Sequence, residues 1–153
     1  MASFQLTQFL PFRLNRLAAE ISEELSTLYA ERFRIDIPQW RVLATLSAGN
    51  GWTAKAIVAS TRTHKSTISR AVEALAQRGL IEAVQSPQDK REYRLRLTLQ
   101  GRRLFRELAP LVLAYENELM VRLGDKDARR LERAITALEA ALGLAAEERD
   151  EAL

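Results

Sequence analysis

Apolar residues recur at intervals of three and four near the start of the chain, at Leu10, Leu14, Leu17, Ile21, Leu25 and Leu28. This spacing predicts an amphipathic helix over 10–33. Phe4, Phe9 and Phe12 stand before or at its start, so this end carries apolar surface that must be buried on its own domain or on a partner. Ile37-Pro38-Gln39-Trp40 opens a second helix to about Ser47, with Pro38 suited to the first turn. Gly49-Asn50-Gly51 then supplies residues that accept positive φ. Thr53 predicts an N-cap for a short helix to Ala59. After the polar connection Ser60-Thr61-Arg62-Thr63, a further segment begins at His64, with Ile68, Ala71, Val72 and Leu75 on one face and Gly79 as its C-cap. Two helices joined in this way are a helix-turn-helix candidate, although such pairs occur in any α-rich protein.

The next twenty residues make the pairing specific. Residues 80–85 read as a short strand and Ser86-Pro87-Gln88-Asp89-Lys90-Arg91-Glu92 as a turn-prone loop. Tyr93, Leu95, Leu97 and Leu99 alternate with Arg94, Arg96 and Thr98, the period of a half-buried strand. A hairpin directly behind a recognition helix is the wing of a winged helix. A long helix over 100–123 carries Leu104, Leu108, Leu111, Val112, Tyr115, Leu119 and Leu123, and Pro110 inside it predicts a kink or break near Leu108. Gly124-Asp125-Lys126-Asp127 is a turn and helix start. Leu131, Ala134, Ile135, Leu138 and Leu142 give a last amphipathic helix over 128–142, and the acidic stretch 145–153 is expected to fray.

The expected fold is mainly α with a small β-hairpin wing (α+β), as one domain over 1–153. A winged helix-turn-helix core over 36–99 lies between end helices over 1–34 and 100–144. That core does not need three long amphipathic helices to cover it, so the end helices are expected to interlock in a two-fold homodimer.

Composition removes most chemistry. The 153 residues fit one domain, and the chain has no cysteine and one histidine, His64. Disulfides, thiolate metal sites, thiol nucleophiles and histidine pairs are therefore excluded. No nucleophile, metal or cofactor motif is present, so neither an enzyme nor a cofactor is expected. No apolar run approaches the ~18–20 residues of a membrane span. The first basic residues come after the apolar ones, the reverse of a secretory signal, and a cytoplasmic location is expected.

Charge adds the partner. The net +3 conceals +7 over 60–106, where 11 Lys/Arg face 4 Asp/Glu, followed by −2 over 107–123 and −3 over 124–153. A basic centre between neutral and acidic flanks suits a polyanion. At about 100° per residue, with Ile68 inward, Ser66, Ser69, Arg70, Glu73 and Gln77 point outward, and Lys65 and Thr67 flank them. Hydroxyls and a basic group at a helix start suit entry into the major groove of double-stranded DNA. Ser66 and Thr67 can donate to phosphates or base edges, Arg70 can pair with guanine, and Lys65 suits phosphate. Glu73 can orient Arg70 or accept from cytosine. His64, at the helix entrance, suits an anion-facing or capping role, having no partner ligands for a metal. On the wing, Lys90 and Arg91 can approach a narrow minor groove, and Asp89 is expected to hold the Arg91 guanidinium in a bidentate ion pair.

The ordered set Lys65-Ser66-Thr67-Ile68-Ser69-Arg70, Leu75 with Arg78-Gly79-Leu80, Asp89-Lys90-Arg91, and Leu97-Thr98 with Gly101 resembles the winged-helix core of the MarR (multiple antibiotic resistance regulator) family, most specifically over 53–101. The resemblance implies a homodimer built from the first helix and the last two, bound to a palindromic operator. Lys65, Ser66, Thr67, Ser69 and Arg70 would read or position the major groove, and Arg91, oriented by Asp89, would enter the minor groove. Most members are repressors released by a small ligand held between the dimer helices and the winged core. Peroxide-sensing members use a cysteine and zinc-sensing members a ligand cluster, which this chain lacks. A non-covalent organic effector remains. Phe12, Arg13, Arg16, Tyr29, Trp40 and Arg41 could furnish a basic, aromatic pocket for an aromatic acid or an aryl-CoA thioester, although Phe12 and Trp40 also suit a plain core. The rival reading is an architectural protein that binds DNA without regard to sequence.

Overall fold

The first apolar stripe forms α1 (Leu10–Ser26), with Pro11 in its first turn, preceded by a 3-10 turn at Leu6–Gln8. The structure, a computed structural model, describes residues 3–49 and 51–144. Asn50 of the expected turn and the stretch 145–153 lie outside the described residues. α1 stops short of residue 33 because its end tightens. The hydroxyls of Ser26 and Thr27 donate to the carbonyls of Glu23 and Glu24, both at 2.7 Å, and the amides of Thr27, Leu28 and Tyr29 bond three residues back. Tyr29 is thereby set in the core, fully buried. A one-turn helix, α2 (Ala30–Phe33), comes next and ends at Arg34 in the left-handed region, φ 53°.

Asp36 starts α3 (Ile37–Ser47) with a reciprocal capping box. Its carboxylate accepts the Gln39 amide at 2.8 Å, and the Gln39 side chain accepts the Asp36 amide at 3.1 Å. The helix closes at Ala48, and Gly49 does not use the positive φ expected of it. The Thr53 hydroxyl caps α4 (Ala54–Thr61), accepting from the Ala56 amide at 3.1 Å. Arg62 (φ 52°) ends α4, so the turn into α5 (Lys65–Gln77) is shorter than the polar run suggested. α5 buries Ile68, Ala71 and Leu75. It ends in a Schellman motif: Gly79 (φ 68°) donates to Ala76, and Leu80 donates to Leu75.

β1 (Ile81–Gln85) and β2 (Tyr93–Leu97) pair antiparallel from Ile81↔Leu97 to Gln85↔Tyr93. The Leu95 amide also reaches the Trp52 carbonyl at 2.8 Å, an added bridge on the outer side of β2. Only Leu95 and Leu97 of the alternating set are buried. Tyr93 is 57% exposed, and Leu99, at 56%, opens α6 (Leu99–Leu123) instead of closing the strand. The helix runs on through Pro110, and the break expected near Leu108 does not occur. Pro110 and Arg106 are both exposed, so the Arg106 carbonyl that loses its amide partner can bond to water. α7 (Asp125–Ala141) begins after Gly124.

Contacts divide the chain into two compact units, one up to Ala109 and one from Pro110 onward. The first holds the core, in which Tyr29, Ile35, Val42, Leu43, Ile57, Ile68, Leu75, Leu80 and Leu108 are fully buried. In the second, Leu131, Ile135 and Leu138 of α7 and Leu142 at its C-cap are 41–68% exposed.

Within the first unit, the end of α5 is tied to the start of α6. The Thr98 hydroxyl donates to the Gly79 carbonyl at 2.6 Å and accepts the Gly101 amide at 3.0 Å, while the Thr98 amide donates to the Leu80 carbonyl at 3.1 Å. A Cβ on Gly101 would lie 1.9 Å from the Leu80 carbonyl oxygen, so the close approach requires glycine. Gly101→Ala should therefore destabilise the protein by about 3 kcal/mol, since the neighbour is backbone and cannot rotate away. Gly49→Ala, in open space, should stay within ~0.5 kcal/mol, with both variants read by urea titration.

Candidate nucleic-acid interface

α5 presents a polar N-terminus because its cap is a side chain. The His64 Nδ1 accepts the Ser66 amide at 3.3 Å and lies 2.9 Å from the Ser66 hydroxyl. A neutral ring accepting at Nδ1 carries its proton on Nε2, so the capping role holds while the other nitrogen remains a donor. Lys65, Ser66, Ser69, Arg70, Glu73 and Gln77 are exposed and Thr67 is half-buried, as the helical geometry predicts. The positive end of the helix dipole adds to this surface. Among the described residues, Lys65 and Arg70 make no ion pair, and Glu73 does not hold Arg70.

The wing separates its charges. On its arms, Arg96 pairs with Glu82 at 2.7 Å, directly across the strands, and Arg94 with Glu92 at 3.6 Å. At its tip, Lys90 and Arg91 are exposed and form no ion pair among the described residues. The expected bidentate pair between Asp89 and the Arg91 guanidinium is absent; Asp89 Oδ1 accepts the Arg91 backbone amide at 2.9 Å. A short side chain reaching two residues ahead is the ordinary Asx turn. It accounts for a carboxylate at a cationic tip, and it leaves the guanidinium free.

The residues expected around an effector fall into two groups. On α1, the Arg16 guanidinium lies over the Phe12 ring, 5.6 Å from its centroid, and Arg13 is exposed. In the core, Tyr29 stacks on Trp40 at 5.8 Å and Trp40 on Phe105 at 5.9 Å. Arg41 serves the helix-turn-helix: its Nη1 donates to the Thr63 hydroxyl at 3.2 Å, which donates to the Thr61 carbonyl. Phe105 lies outside the expected set. The stripe through Leu104 passes beside it, whereas the intervals from Gly101 to Phe105 to Leu108 mark the face that α6 buries. A cavity of about 520 Å³ is lined by Leu46, Leu97, Leu99, Phe105, Arg102 and Arg106 among others, with no acidic residue. It contains none of the expected effector residues and meets them only through Phe105. Arg102 spends one donor on the Leu97 carbonyl at 2.8 Å.

The Tyr29 hydroxyl is buried without a hydrogen-bond partner among the described residues. Burial pushes the phenol up to about 12, against the pull of Arg41 and with help from Asp36 and Glu23. An unfolded tyrosine ionises near its ordinary value of 10.0, so this contribution to stability is complete below that pH and is lost as pH rises towards 12. Tyr29→Phe should raise stability by about 1 kcal/mol by removing an unsatisfied polar group. It should also delete the latest tyrosine step in an ultraviolet titration.

Among the described residues no helix is long and apolar enough to cross a membrane, and no cluster of three His, Cys, Asp or Glu is placed to hold a metal. A sequence model of the MarR family matches residues 35–92. The chain is 31% identical to a MarR family transcriptional regulator from Silicibacter pomeroyi DSS, over 90% of this chain and 89% of that one, with a TM-score of 0.76. It shares the fold of a MarR/EmrR family transcriptional regulator from Acinetobacter sp. ADP1 (23% identity, 92% and 99% coverage, TM-score 0.80). It is also similar to the PcaV transcriptional regulator from Streptomyces coelicolor, solved in complex with its natural ligand (26% identity, 92% and 98% coverage, TM-score 0.68). A comparison with curated proteins gave no match.

Proposed function

The chain belongs to the MarR family of transcriptional regulators, and we propose that it is a cytoplasmic repressor that binds a palindromic operator as a homodimer and is released by a small anionic aromatic effector. The observation that carries the DNA reading is the sorting of cations. Arginines on the wing arms are paired, while Lys65, Arg70, Lys90 and Arg91 stand exposed and unpaired among the described residues. In this reading residues 36–99 hold the DNA. Arg70 and the hydroxyls of Ser66, Thr67 and Ser69 meet base edges or phosphates, Lys65 meets phosphate, and the His64 Nε2–H faces an anion. Arg91, with Lys90 beside it and its backbone set by Asp89, enters the minor groove.

Residues 1–34 and 100–144 form the dimer. Phe4, Leu6, Phe9, Leu10, Leu14, Leu17 and Ile21 are 37–74% exposed in the single chain, more apolar surface than one element leaves in water without a partner. A second copy covers such surface with closed symmetry and sets two recognition helices about one DNA turn, ~10 bp, apart. For the effector, an aromatic acid or aryl-CoA thioester, the support is the basic and aromatic character of Phe12, Arg13, Arg16, Tyr29, Trp40 and Arg41, and a cavity with two arginines and Phe105 in its wall. PcaV, ligand-bound in its crystal, is a similar chain.

Selection of fragmented genomic DNA on the purified protein at ~0.15 M salt, where weak electrostatic binding is screened, should recover a few fragments sharing an inverted repeat. Enrichment without a shared motif would instead support an architectural role. On a recovered fragment, Arg70→Ala should cost about 1–3 kcal/mol and relax base preference, whereas Lys65→Ala should weaken all DNA alike. Equal losses on operator and random DNA for both variants would overturn base reading by Arg70. A panel of benzoates and aryl-CoA thioesters should contain a compound that raises thermal stability and releases the fragment; failure of the whole panel would overturn the effector class.

A further inference from the structure

We infer that Gln85 is a positioning residue for the wing's contact with DNA: its carboxamide holds the backbone of Lys90, so that Lys90 and Arg91 meet the minor groove in a preformed shape. The inference rests on the proposed wing contact and assigns to it a residue outside the tip. Residues 86–92 lie beyond the last strand pair, Gln85↔Tyr93, where a polar loop ordinarily keeps much of its freedom. Here three bonds organise it: the Ser86 amide to the Glu92 carbonyl (2.8 Å), the Glu92 amide to the Asp89 carbonyl (3.0 Å), and the Arg91 amide to Asp89 Oδ1 (2.9 Å). Ser86, 3% exposed, fills the inside, and its hydroxyl donates to Gln88 Oε1 at 3.3 Å. These bonds set residues 86, 89, 91 and 92. The Lys90–Arg91 peptide, held at its N–H by Asp89, is held at its other edge by Gln85, whose Nε2 donates to the Lys90 carbonyl at 2.6 Å.

Gln85 is exposed and takes no part in the core, so the consequence of this bond is local. It crosses the mouth of the loop and fixes the peptide between the two unpaired cations. A tip shaped before binding loses less conformational freedom when its side chains enter a groove. The Asp89 bond holds the N–H edge of that same planar peptide unit and the Gln85 bond its C=O edge, so without Gln85 the unit is held from one side only.

The test uses the full-length protein and a duplex recovered by the genomic selection. Gln85→Met keeps the length and apolar stem but removes the donor. It should weaken binding about five-fold for each wing engaged, the equivalent of one net hydrogen bond, with urea midpoint and dimer mass unchanged. In a Lys90→Ala, Arg91→Ala background the same substitution should have no further effect, and amide exchange at Arg91 should quicken in the free protein. Wild-type affinity for Gln85→Met, or an equal loss with and without the two cations, would overturn the inference while leaving the wing contact standing. Full affinity in the Lys90→Ala, Arg91→Ala variant alone would overturn the wing contact itself. Gln85→Ala provides a second reading of the same bond if Met finds a new apolar contact.

Discussion

The winged core is built around the way the C-terminal end of α5 is held. Arg78 lays both terminal nitrogens of its guanidinium on successive carbonyls, Phe33 at 2.8 Å and Arg34 at 2.7 Å, at the end of α2. One residue on, the Gly79 carbonyl takes the Thr98 hydroxyl, and the next carbonyl, Leu80, presses against Gly101. A helix end thus satisfies orphan carbonyls of a second helix and is itself capped by a third. Three consecutive residues fix the axis of α5 against both α2 and the start of α6. The planar fork of arginine suits two adjacent acceptors, and a lysine could not reproduce that geometry. The angle at which the N-terminus of α5 is presented is therefore decided at its opposite end.

Electrostatics then act on a rigid frame. The basic excess over 60–106 would be a diffuse field if all its charges were free. Pairing of Arg96 with Glu82 across the strands, and of Arg94 with Glu92 two residues back along the chain, neutralises arginines on the arms of the hairpin. Of the cations left without an ion pair among the described residues, Lys90 and Arg91 stand at the tip and Lys65 and Arg70 in the first turns of α5, where the helix dipole has the same sign. Surface pairs of this kind add little stability. Their larger effect is to select which cations a polyanion meets.

Sequence pattern makes most elements legible, because caps and periodicity are local properties. Thr53 and Gly79 act as their positions predict, and the inward face of α5 is Ile68, Ala71 and Leu75, as its spacing indicates. The departures have specific causes. The apolar stripe overruns the end of α1 because Leu28 continues it past Ser26, while the Ser26 and Thr27 hydroxyls that tighten the turn are silent in a hydrophobic pattern. Leu99 fits the strand alternation, yet Thr98 caps a helix there. Pro110 has the character of a breaker, but its side of α6 faces water, and only the fold reveals that. Of the candidate site, the residues proposed to face DNA are legible as an exposed face because helical geometry places them. The partners of Asp89, Arg41 and Gln85 are not, since each bonds to an atom whose position depends on the fold.

Natural chains tend to satisfy their interactions everywhere except where they act. In this protein three kinds of exception stand out among the described residues. Unpaired cations stand at Lys65, Arg70, Lys90 and Arg91; large apolar side chains lie open along α1 and α7; a buried phenol, Tyr29, has no hydrogen-bond partner among the described residues. In the proposed function the first are completed by a polyanion and the second by a second copy of the chain. The third differs because it costs stability inside the core, where burial already holds the phenol un-ionised. Tyr29 touches Trp40, whose ring also stacks on Phe105, and Trp40 is followed by the arginine that ties down the turn before α5. Three aromatic rings and one guanidinium therefore connect the incompletely satisfied part of the core to the helix-turn-helix. A change of packing at Tyr29 has a short physical route to the residues proposed to meet DNA.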